Sequence, residues 1–115
     1  MSTVKILVTA NGQQIIAGVK VVENQETQER VAYWVQEPRV IIYRKNDEEG
    51  KTNISLVPYC FASDENEFSI SEHHVVAILE PRNDIEEAYR AQAYPKLVKE
   101  IAEMEGLGAD ETDQG

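Results

Sequence analysis

The pair Asn11-Gly12 stands between two alternating segments, Val4, Ile6, Val8 and Ala10 before it and Ile15, Ala17, Val19 and Val21 after it. Apolar residues at every second position give a strand with one buried face. Asn-Gly is favoured at the tip of a two-residue type I′ hairpin, where both central residues need positive φ. The first twenty or so residues therefore fold as an antiparallel hairpin, and the rest of the chain must extend that sheet or cover it. Glu23 to Arg30 is a polar loop. Val31 to Tyr43 is rich in β-branched and aromatic residues, and Pro38 inside it predicts a bend or bulge, because proline cannot donate to a ladder. Asn46 to Gly50 is a charged turn, Asn53 to Phe61 a fourth strand containing Pro58, and Ser63 to Glu67 another polar turn. Phe68 to Glu80 holds the fifth strand, which Pro81 ends. Several strands are apolar on both faces, which suggests a closed or strongly curved sheet, or a subunit interface.

After Pro81 the hydrophobic period changes. Asn83 and Glu86 have capping-box spacing, and Ile85, Ala88, Tyr89 and Gln92 follow at helical intervals. Pro95 breaks the pattern before Leu97, Val98, Ile101 and Met104 resume it, so residues 84–104 read as one kinked helix or two short ones. The chain thus divides into a β domain over 1–83, a helical segment of the same domain over 84–104, and an acidic tail over 105–115. Beyond Met104 there are four acidic residues and no basic one, a composition expected to stay disordered. The formal net charge of −10 is uneven, with −4 carried by residues 1–83 and −6 by residues 84–115.

This acidic balance argues against a broad phosphate-binding surface. No apolar run approaches a membrane span, and Met1-Ser2-Thr3-Val4-Lys5 begins no signal peptide, so a cytoplasmic protein without a membrane partner is expected. No phosphate-binding glycine loop, dinucleotide fingerprint, nucleophile elbow or H-E-x-x-H segment occurs. Cys60, the single cysteine, lies between Tyr59 and Phe61 and reads as a buried, inert thiol. His73 and His74 are adjacent in a strand, so they point to opposite faces and do not share a metal ion. Asp47-Glu48-Glu49 and Asp64-Glu65 read as solvated acidic turns. Neither an enzyme nor a metal or organic cofactor is expected.

Two spacings carry a family resemblance. Gly12-x-x-Ile15-x-Ala17-x-Val19-x-x-Val22-Glu23 resembles the first motif of Sm-like proteins, although Ala17 replaces that motif's second glycine. Ile70-Ser71-Glu72-His73-His74-Val75-Val76-Ala77-Ile78 resembles the second motif, with His73 on the histidine of the Hfq type and Glu72 where that type has lysine. The Sm-like proteins attributed to marine cyanophages are the most similar subgroup. The resemblance implies a small, bent, five-stranded antiparallel barrel, here followed by a C-terminal helical segment. It further implies a homo-oligomeric ring of about five to seven chains, closed by edge-strand pairing between neighbours. If the chain is phage-encoded, its compartment is the host-cell cytoplasm.

By the same resemblance, Asn24, Gln25 and Thr27 in the second loop and His73 and His74 in the last turn would contact single-stranded RNA or DNA. Tyr33, Trp34, Tyr43 and Tyr59 could add stacking, although Tyr33 and Trp34 fit an ordinary core as well. The alternative function is an acidic ring that docks on proteins and never touches nucleic acid.

Overall fold

The computed structural model describes residues 3–46, 48 and 50–95. It divides between Arg82 and Asn83 into two units, a sheet and a helical segment. The sheet has six strands: β1 (Thr3–Thr9), β2 (Gln14–Glu23), β3 (Arg30–Asn46), β4 (Lys51–Pro58), β5 (Glu67–Ser71) and β6 (Val75–Leu79). The helix α1 spans Asn83–Ala93.

Every strand pairing is antiparallel, and the main path runs β4-β3-β2-β1-β6. β5 pairs with β3 beyond the end of β4, so two short strands share one edge of a seventeen-residue strand. The mostly β class with a C-terminal helix is as expected. The strand count is six instead of five, and no ladder among the described residues joins β6 to β4 or β5, so the sheet is not closed. The extra strand has a local cause. Ser71 interrupts the segment 68–80 by accepting the His73 amide on its Oγ at 3.2 Å, which turns Glu72–His74 into a single 3₁₀ turn between β5 and β6. His73 and His74 therefore sit in a turn and not on opposite faces of a strand.

The first hairpin forms where Asn11-Gly12 puts it, with a different turn. The Gly12 amide donates to the Thr9 carbonyl and the Thr9 amide to the Gln13 carbonyl, each at 2.9 Å. Only Gly12 is left-handed, at φ +82°. This is a three-residue loop, a turn closed by a left-handed glycine, in place of the two-residue type I′ form. Thr9 is buried, and its Oγ accepts the Gln13 amide at 3.1 Å, which helps hold the tighter end of the loop.

The bulge expected at Pro38 is present. The ladder steps from Ile16–Arg39 to Gly18–Gln36, leaving Glu37 and Pro38 opposite Ala17 alone. Glu37 takes the left-handed conformation at φ +49°. Its amide donates to the Asn66 carbonyl (2.7 Å), and its carboxylate receives Asn66 Nδ2 (2.5 Å) and the Arg39 guanidinium (3.3 Å). Pro58 ends β4 opposite Arg39, where a missing donor costs least.

The core gathers on one face of the strands around Leu7, Ile15, Ala17, Val35 and Ile70, with Val19, Tyr59, Phe68 and Val75 packed against it. The register dictates this set: Leu7 faces Ile15, Val19 faces Val35, and Val35 faces Phe68 across their ladders. Each fully buried aliphatic side chain contributes about 1.5–3 kcal/mol. Cys60 belongs to the loop after β4 and is exposed, contrary to the buried thiol expected. The flanking Phe61 is 83% exposed.

In the helical unit, Arg90 Nε donates to Glu86 Oε2 at 2.9 Å, one turn apart. Glu86 thus turns forward to Arg90. The Tyr94 amide closes the last turn on the Arg90 carbonyl at 2.8 Å, and the Tyr89 and Tyr94 rings pack edge to face at 6.0 Å. Helix ends before Tyr94-Pro95, as the proline predicts. The second helical stretch expected up to 104 and the acidic tail over 105–115 lie outside the described residues.

Candidate nucleic-acid interface

The β2–β3 loop is built around Asn24. Its Oδ1 accepts the amides of Glu26 (2.9 Å) and Thr27 (3.3 Å), its carbonyl accepts the Gln28 amide (2.6 Å), and its own amide donates to the Glu29 carbonyl (2.8 Å). Thr27 Oγ accepts the Glu29 amide at 3.3 Å. Gln28 closes the loop at φ +60°. Asn24 and Thr27 therefore spend acceptor capacity on the loop itself, while Gln25 is exposed.

This loop delivers the start of β3 to the 3₁₀ turn. Glu29, Arg30, Val31, Glu72 and His73 line an open groove of about 550 Å³. The two contributing segments are far apart in sequence and adjacent because Ala32 pairs with Ser71. Of the five residues read from sequence as contacts, His73 lines this groove, whereas Asn24, Gln25, Thr27 and His74 are not among its walls. The His74 carbonyl instead accepts the Ala10 amide at 2.7 Å, tying the turn to the first hairpin. Arg30 is the groove's cation, and in the sequence it stands only as the last residue of a polar loop. No period in the sequence marks it, because a register shift between Val22 and Glu23 interrupts the alternation of β3 just after Arg30.

No protein-family model matches the chain, and comparison with the curated proteins gives no match.

Beside the groove, the outer face of β3 carries Trp34. Lys20 lies opposite it on β2 and Ser69 opposite it on β5. The Trp34 indole Nε1 donates to Glu67 Oε1 at 3.2 Å, and Gln36 Nε2 donates to the same oxygen at 2.8 Å. These two hydrogen bonds, with a smaller attraction from Lys20, hold the Glu67 carboxyl below its usual range. A second, smaller cavity of about 170 Å³ lies over the bulge, lined in part by Glu37, Arg39, Tyr59, Cys60 and Asn66. Its principal polar groups already bond one another. No group of three or more potential metal ligands occurs among the described residues. Among these residues no helix is long and apolar enough to cross a membrane.

Proposed function

We propose that this chain is an Sm-like subunit of a homo-oligomeric ring that binds single-stranded RNA or DNA in the groove between Arg30 and His73, in a phage-type processing role. The observation that carries the reading is the meeting of two segments, the end of the β2–β3 loop and the turn before β6, in one solvent-open groove holding a guanidinium and an imidazole. An imidazole offers a face for a base and Arg30 a partner for phosphate. Glu29 and Glu72 flank them, so binding is weak and salt-sensitive. Fluorescence anisotropy of labelled oligo(U), oligo(A) and oligo(dT) tests it. Glu72→Lys tightens binding and steepens its salt dependence, and His73→Ala weakens it by about 1–3 kcal/mol. Identical curves for all three proteins would remove the groove from the reading.

The ring half of the proposal rests on the open edges. β6 forms one edge and exposes Val76 (65%), Ile78 and Leu79, while β4 and β5 share the other. Unlike edges that pair between neighbours generate rings or filaments. Light scattering decides this: the native chain runs as an oligomer, and Val76→Asp, at a position too exposed to unfold the sheet, dissociates it. The same exposed edge and Phe61 favour a second reading, an acidic ring that binds proteins. That reading is preferred if the ring forms and no oligonucleotide binds.

A further inference from the structure

The groove explains one end of a longer surface. Ala32 and Trp34 alternate onto the outer face of β3, and the ladders set Lys20 and Ser69 beside Trp34 and Ser71 beside Ala32, while Arg30 follows a register shift that leaves Val31 as an extra residue. Trp34 is 37% exposed, while Lys20, Ser69 and Ser71 are exposed. The inner face of the same strand segment is core, with Tyr33 and Val35 buried, so the indole is not filling the interior. Its ring is fixed in orientation by the bond from Nε1 to Glu67, whose carboxylate is held in turn by Gln36. Among the described residues, neither Lys20 nor Arg30 enters an ion pair. In a chain with 21 acidic and 11 basic residues, two cations outside these ion pairs, Arg30 and the Lys20 that attracts Glu67, lie to either side of one oriented aromatic ring. Four residues of strand separate Arg30 from Trp34, roughly 13 Å.

Resting on the single-strand reading above, we infer that Trp34 is a second stacking platform of the same site, with Lys20 taking the adjoining phosphate. One strand then runs from the Arg30–His73 groove along the outer face of β3 to Lys20. A π-face and a cation recognise any base and its backbone, so this extension adds affinity without sequence preference. Glu67 orients the ring and opposes the phosphate, which makes it the element that limits affinity at this end.

Trp34 is the only tryptophan, so its emission reports on this position alone. Oligo(U) and oligo(dT) are titrated into the full chain while indole emission and the anisotropy of a labelled oligonucleotide are followed in parallel. Emission is quenched with the same midpoint as the anisotropy rise. Trp34→Phe binds within about threefold of the native chain, and Trp34→Ala loses roughly five- to a hundredfold. Lys20→Gln, at an exposed position that leaves the fold intact, lowers the salt slope by about one. Glu67→Gln tightens binding. If anisotropy rises while emission and the Lys20→Gln salt slope do not change, the strand stays in the groove, and the platform is refuted while the groove survives. If anisotropy does not rise, the single-strand reading itself fails. If emission shifts with protein concentration alone, the face is a contact between copies, and the platform is again refuted.

Discussion

The two halves of β3 are both rich in β-branched and aromatic residues and differ in how they are buried. Just beyond the Glu37-Pro38 bulge, successive residues Val40 and Ile41 are both buried, so the strand is enclosed on both faces there, before Tyr43 emerges 53% exposed. Before the bulge, Tyr33 and Val35 are buried while Trp34 remains exposed beside β5. A strand enclosed on both faces has no position to spare, because every side chain is answerable to packing. A strand enclosed on one face leaves alternate positions free for recognition. The bulge marks the change, and Glu37 secures it through Asn66 and Arg39.

The sharpest way to break this contrast is a matched truncation. Ile41→Ala lowers unfolding free energy by about 2–5 kcal/mol, while Trp34→Ala costs far less stability and acts on binding instead. Urea unfolding of both variants checks it, and equal losses would mean that the outer face is core. Smaller in scale is the acid response of the open half. Because the Glu67 carboxyl is held below its ordinary value of 4.5, its stabilising contribution is complete above that value. The contribution is lost as pH falls through the lower folded value. Unfolding midpoints measured down the acid limb fall more steeply for the native chain than for Glu67→Gln, and Trp34 emission changes over the same window. Two unfolding curves of the same shape would remove Glu67 from the account.

The smallest effect is expected at Gln28. A left-handed conformation costs a non-glycine residue about 1–2 kcal/mol, and glycine's extra unfolded-state entropy costs about 0.4–1 kcal/mol. Gln28→Gly therefore stabilises by about 0–1.6 kcal/mol and leaves the groove unchanged, as thermal unfolding and anisotropy on one preparation can show. A loss of binding would mean that the Gln28 side chain, and not only its backbone, belongs to the site.

What was legible in the sequence was local. The hairpin at Asn11-Gly12, the bulge at Pro38 and the helix stop before Pro95 each depend on a few neighbouring residues with strong backbone preferences. The type I′ turn misled because Asn-Gly fits two loop lengths, and the buried Thr9 favours the longer one. The undivided last strand misled because apolar residues stand on both sides of Ser71-Glu72-His73-His74, where the Ser71 hydroxyl takes the His73 amide and breaks the ladder. Such competition between side chain and backbone leaves hydropathy unchanged. The site was half legible. His73 came from a spacing, whereas Arg30 needed the knowledge that β5 folds back on β3 and sets Ser71 beside Ala32.

The pairing of β6 with β1 has a consequence in time. Each of the β1–β2, β2–β3 and β3–β4 ladders joins strands that follow one another in the chain, but Val8 must find Ala77. On the ribosome the four-stranded meander can assemble as it emerges, while one side of β1 waits, unpaired, for nearly the whole sheet sequence to be synthesised. Loop-closure entropy makes that final annealing step the slow one. Through the interval β1 offers a bare edge to any other nascent chain, so crowded polysomes are where this protein is most exposed to mispairing with its own copies.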